Sequence, residues 1–130
     1  MNFKKIIMFL NLILFLSTTN SYAKDVTSPA ALDWWCSGIL LRTVGLIKQN
    51  VNKFSWDARS TLITLSNHLD NNGMLLMQKA TMGKITAKDA AERTNAGKDW
   101  ANQNIGNNVL VVLNKGSKPN KIILSCLSRN

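Results

Sequence analysis

Ser66-Asn67-His68-Leu69-Asp70 places a hydroxyl, an imidazole and a carboxylate within one short stretch. These are the groups that proton relay to a nucleophile requires. The spacing works against that chemistry, because neighbours two apart on a helix point in different directions and no triad geometry follows. His68 reads instead as a surface residue at a helix end, where a partial positive charge is favourable. Asp89 and Glu92 stand three apart and share a helical face. Paired carboxylates cleave glycosides when they flank a substrate cleft. Here both fall in the first turn of an expected helix, where acids stabilise the helix electrostatically. No G-x-S-x-G, glycine-rich phosphate loop or H-E-x-x-H occurs. The chain is expected not to be an enzyme. Two cysteines and one histidine leave no spacing that closes a ligand set, so neither a metal nor a cofactor is expected.

The two cysteines, Cys36 and Cys126, allow a single intramolecular pairing. In an oxidising compartment that bridge is expected to form and to tie the first helix to the C-terminal segment. It would close a loop of about 90 residues, for which the chain-entropy model gives at most about 4–5 kcal/mol. Free thiols or an intermolecular bridge are the alternatives.

The compartment is read from residues 1–23. Lys4 and Lys5 precede an apolar run from Ile6 to Leu16, interrupted by Asn11, and Ser21-Tyr22-Ala23 supplies a small-x-small exit. That is the pattern of a secretory signal peptide, and the run is shorter than the roughly 20 residues that span a bilayer. The expected product is exported to the periplasm, begins near Lys24 and forms a single helical domain over 24–130, without stable membrane insertion. Removing Lys4 and Lys5 from the 16 basic residues leaves 14 − 7 = +7. Such a balance favours acidic partners, an anionic surface or simple solubility. Nucleic acid is not expected for an exported chain, and the charges stand singly rather than in runs.

The elements that must position these residues are helical. Ser28-Pro29 has the form of a helix start, and Leu32, Trp35, Cys36, Ile39, Leu40, Thr43, Leu46 and Ile47 follow at helical spacing up to Gln49-Asn50. Ser55 is a candidate cap for a second helix, with Asp57 in its first turn and Ala58, Leu62, Leu65 and Leu69 as its buried stripe. Asp70-Asn71-Asn72-Gly73 is expected to stop that helix, and Met74 to open a short third one reaching Met82. Thr86 and Asp89 resemble a capping box for a helix through Ala90, Thr94, Gly97 and Ala101, whose small residues let another helix approach closely. It should weaken at Gly106-Asn107-Asn108. The C-terminal stretch admits a helix from Pro119, with Ile122, Ile123, Cys126 and Leu127 on one face, or a β-hairpin of Val109–Leu113 with Ile122–Leu124. The helix is the favoured of the two. The fold class is therefore all-α, a small bundle of four to five helices with one disulfide, and the C-terminal hairpin is the minor alternative.

Four tryptophans are unusual at this length. Trp35 fits the first helix's apolar stripe, Trp34 sits on its flank, and Trp56 is placed like a staple against the preceding loop. Trp100 lies in a polar stretch and is the best candidate for an exposed binding anchor, since interface hot spots are enriched in Trp, Tyr and Arg. Asparagine is abundant, with 13 after residue 23, many at expected helix ends. The loops Asp70–Gly73 and Asn114–Lys118 are the candidates for insertion into a partner's cleft. Asn71, Asn72, Trp100, Lys115 and Lys118 are the residues expected to touch a partner.

A signal peptide, an apolar first helix carrying Cys36 and a closing Ile122-Ile123-Leu124-Ser125-Cys126-Leu127 segment resemble the periplasmic immunity proteins of type VI secretion amidase effectors, the Tai/Rap group. That resemblance implies an all-helical fold, often dimeric, in which a leucine-rich tail carries the second cysteine. It also implies a function: occluding the active-site cleft of a cognate peptidoglycan amidase effector. The strong basic charge and low acid content depart from the family pattern. The competing readings are a periplasmic chaperone, an accessory subunit of an envelope machine, and a membrane-active protein with Lys79, Lys84 and Lys88 on one helix edge.

Overall fold

The computed structural model describes residues 28–130; the signal peptide expected over residues 1–23 lies outside them. Four helices form among the described residues, each begun by a hydroxyl side chain that accepts a backbone N–H otherwise left without a partner. Ser28 accepts from the Ala31 N–H at the start of α1 (Pro29–Asn50). Ser55 caps α2 (Trp56–Ala80), and Thr86, accepting from the Asp89 N–H, caps α3 (Ala87–Asn104). Ser117 accepts from the Asn120 N–H and opens α4 (Lys118–Leu127), with Pro119 in its first turn, where the missing N–H costs nothing. Short 3-10 turns, Val51–Lys53 and Val109–Leu113, follow α1 and precede α4.

The bundle is all-α, with no strand among the described residues. Both arms of the hairpin alternative are accounted for otherwise. Val109–Leu113 winds into the 3-10 turn, and the Asn120 side-chain amide donates to the Val112 carbonyl at 2.8 Å, fastening that turn to α4. One expectation fails, at Asp70-Asn71-Asn72-Gly73. The chain does not stop there, and α2 runs unbroken from Trp56 to Ala80, absorbing the expected short helix from Met74. The reason lies in packing. The buried positions of α2 are Leu62, Ser66, Leu69, Gly73, Leu76 and Ala80, a strict alternation of four and three residues that keeps one seam against a neighbour. Gly73 belongs to that seam. A Cβ added there would come 2.8 Å from Leu41 Cδ2, so the glycine allows close approach to α1 rather than a helix end.

α1 is the centre of the molecule. It lies against both α2 and α3 along most of their lengths, while α2 and α3 scarcely touch each other. α4 and the second 3-10 turn cover a further side of α1. Such a helix is enclosed on several sides, which explains why its burial exceeds the single stripe expected from the spacing. Ile39, Leu40 and Ile47 are fully buried, and so are Ser37, Gly38 and Thr43. α1 is long and apolar enough to cross a bilayer by composition, yet 67% of its most apolar window is buried by the rest of the domain. Its polar residues are satisfied internally. Ser37 donates to the Trp34 carbonyl at 2.8 Å, and Thr43 to that of Ile39 at 2.7 Å.

The α1–α3 crossing is closest at two glycines. A Cβ on Gly97 would overlap the Trp35 carbonyl oxygen, and one on Gly38 would overlap that of Thr94. Trp35 and Trp100 close the same interface edge to face, with ring centroids 6.2 Å apart at 64°.

Cys36 and Cys126 are joined, with Cα atoms 5.3 Å apart across a sequence separation of 90. The chain end is fastened at several further points. Arg129 Nε donates to Asp33 Oδ1 at 2.6 Å, and the Asn130 side-chain amide donates to the Asn72 carbonyl at 3.0 Å. The Asp33 side chain is only 3% exposed against 26% for Arg129, so the pair spans the boundary of the core. Arg129→Ala should cost about 2 kcal/mol, below the figure for a fully buried pair because water can enter where Arg129 stood. Chemical denaturation of the oxidised protein measures it. A change below about 0.5 kcal/mol, the size expected of surface substitutions, would show that Asp33 is solvated without its partner.

Candidate functional site

Asn71 and Asn72 lie in the middle of α2 rather than on a loop. Asn71 is exposed. Asn72 is half-buried and occupied, its amide donating to the His68 carbonyl at 2.9 Å while its own carbonyl groups accept from Asn130. His68 is a surface residue as expected, but at mid-helix rather than at an end. Trp100 is half-buried against Trp35 and packs on the core. Lys115 is exposed on the turn leading into α4, the one candidate loop that remains largely a loop, and Lys118 is exposed as the first residue of α4. The five expected contact residues are thus divided among α2, α3 and the α4 turn. Asp89 and Glu92 occupy the first turns of α3, where Asp89 serves the cap and Glu92 lies 4.0 Å from Arg93. Among the described residues no group of three His, Cys, Asp or Glu side chains is gathered to hold a metal ion.

A different surface stands out. Trp56 is 73% exposed, and Ile63 and Met74 on the same helix are also exposed. At about 100° per residue, Trp56, Ile63 and Met74 fall roughly 100–120° to one side of the Leu62–Ala80 seam and so align along one flank. The three span about 27 Å of α2. Asn72 and Lys79, which hold the C-terminal residues, fall about 80–100° to the other side. This partly apolar flank therefore faces away from the C-terminal fastening and is left uncovered by the other described residues.

Arg59 sits beside this flank, three residues after Trp56 and four before Ile63. It is half-buried and donates through Nη2 to the Phe54 carbonyl at 3.3 Å, and its buried Nε has no hydrogen-bond partner. A buried donor without an acceptor costs about 1–3 kcal/mol. Trp and Arg are the residue types most enriched among binding hot spots. Here one of each stands on a single rigid helix.

No family model, curated protein or solved structure matches this chain. The arrangement offers a helical, partly apolar edge with a guanidinium beside its first anchor, suited to docking against another macromolecule. The sequence held a signal for Trp56. Its position is out of phase with Leu62 and Leu69 by about one-third of a turn, so it could not share their buried stripe. The staple expectation weighed its place at the helix start and not its phase.

Proposed function

We propose that this is a periplasmic immunity protein that binds and occludes a cognate cell-wall-degrading effector, a peptidoglycan amidase, and that the α2 flank of Trp56, Arg59, Ile63 and Met74 is its contact surface. The observation that carries the reading is Trp56, a large aromatic left 73% exposed on a rigid helix. Burying such a side chain in a partner's pocket is a principal source of interface energy. The disulfide-tied scaffold is compatible with an oxidising compartment, and it holds that helix in a form needing little ordering on binding. The net positive charge of the chain favours an acidic partner and speeds its encounter.

The experiment is capture of partners from the source cell's periplasm with the oxidised protein, followed by assay of the captured protein on peptidoglycan. The expected result is one stoichiometric partner whose hydrolase activity is lost on binding. Trp56→Ala should weaken that complex by at least about 2 kcal/mol, roughly thirtyfold in Kd, while leaving the melting temperature nearly unchanged because Trp56 packs little at home. The affinity should also fall as salt rises. A complex indifferent to Trp56→Ala would remove the α2 flank from the reading. Many weakly bound clients in place of one partner would favour the chaperone.

A further inference from the structure

The outer surface of the C-terminal layer differs in chemistry from the α2 flank. No acidic residue follows Asp99, while Lys115, Lys118, Lys121 and Arg129 do. The elements here are the 3-10 turn Val109–Leu113 and α4, and their inward positions are clear. Val109, Val112, Pro119, Ile123 and Cys126 are buried. The outward positions combine two side-chain types. Leu110 and Leu113, three apart and so aligned on a 3-10 turn, are exposed, and Leu124 on α4 is 55% exposed. Lys115, Lys118 and Lys121 are exposed among them. On α4, Lys121 lies three residues from both Lys118 and Leu124 and four from Ser125, on the side away from the Ile123–Cys126 face. Hydrogen bonds from Ser117 to the Val111 carbonyl and from Asn120 to the Val112 carbonyl hold the turn and the helix together as one layer.

Fold stability does not account for these lysines. The first turn of α4 contains no acid, and the helix dipole there opposes positive charge. Leu124 likewise stands largely outside the core, and Leu110 and Leu113 are each 37% exposed. A surface of exposed leucines among lysines, free of acids, is the composition of an element that lies on an anionic bilayer, with leucines in the headgroup boundary and lysines near the phosphates. Anchors of the protein-interface kind, Trp, Tyr and Arg, are absent from its outward positions.

We infer that this face, Leu110, Leu113, Leu124, Lys115, Lys118 and Lys121, binds peripherally to an anionic phospholipid surface. The contact is interfacial and does not require α4 to leave the domain, since Cys126 holds it to α1. It leaves the Trp56 flank to a protein partner, so either reading can fail without the other.

The test uses the oxidised chain lacking residues 1–23, sedimented with vesicles of phosphatidylcholine alone or with phosphatidylglycerol added. Binding is expected to the phosphatidylglycerol vesicles alone and to fall with salt. Each lysine near such a surface contributes about a fivefold gain in affinity, so Lys115→Gln/Lys118→Gln/Lys121→Gln should weaken binding on the order of a hundredfold. Leu124→Ser should weaken it severalfold with the thermal melt retained, since its side chain is largely outside the core. Equal binding to both vesicle types, no binding to either, or undiminished binding by the triple lysine variant would overturn the inference. So would loss of a captured protein partner in the triple variant without any vesicle binding by the native chain, which would give this face to that partner instead.

Discussion

Gly97→Ala is expected to destabilise the protein by about 3 kcal/mol, at the upper end of the range for overpacking a close-fitted interior. In a domain of this size that lowers the melting temperature by roughly 10–20 °C. The added methyl would meet a backbone oxygen, that of Trp35, and not a side chain able to turn away. α3 would have to move outward, separating Trp100 from Trp35 and loosening Ala101, which is fully buried. Gly45→Ala provides the contrast on α1 itself. A Cβ at Gly45 meets only the end of the Arg42 side chain at 3.7 Å, and replacing a helical glycine there should add about 0.5–1 kcal/mol. The same change would thus have opposite signs at two helical glycines. Urea denaturation of both variants measures this, and a loss below about 1 kcal/mol for Gly97→Ala, well short of the usual range, would mean that α1 and α3 part cheaply.

Cys36→Ala/Cys126→Ala should be the more damaging change, by about 4–5 kcal/mol if loop entropy governs it. That approaches the whole stability of many domains, about 5–15 kcal/mol. The bridge acts chiefly on the unfolded chain, whose ends it confines. The Arg129–Asp33 and Asn130–Asn72 contacts cannot replace it, because they exist only after folding. Denaturant titration of the double variant, beside the native protein with and without reductant, separates the bridge from the loss of two buried sulfur atoms. A cost below about 1 kcal/mol would indicate that the unfolded ensemble is already compact without the cross-link.

Helix beginnings were legible in the sequence because they depend on local chemistry. Ser28, Ser55 and Thr86 each satisfy an N–H within three residues, and no distant contact is needed to recognise them. The end of α2 was not legible. Asn and Gly serve equally as a helix stop and as a gap for a neighbouring helix, and only the position of Leu41 decides between these at Gly73. The disulfide was legible because two cysteines leave a single pairing. The exposure of the tryptophans was less legible. Trp100 is flanked in sequence by Lys98, Asp99 and Asn102, which suggests exposure. It is one residue from buried Ala101 and three from buried Gly97, so its helix phase turns it toward Trp35. Trp56 is exposed for the converse reason, its phase turning it away from the seam that α2 buries.

The central position of α1 also governs the order in which the molecule can assemble. Of the described helices, the one made first is the one that every later helix needs. α2 follows it directly and can fold back as a hairpin, but α3 must reach across that hairpin to bring Gly97 to Trp35, and Cys126 arrives last of all. Until then one long apolar helix presents unsatisfied sides to whatever surrounds the growing chain. Pairings so distant in sequence slow the search and prolong the interval in which sticky surface is on view. In native-state hydrogen exchange the α1–α2 pair should accordingly outlast α3 and the C-terminal layer, as the kernel on which the remainder condenses.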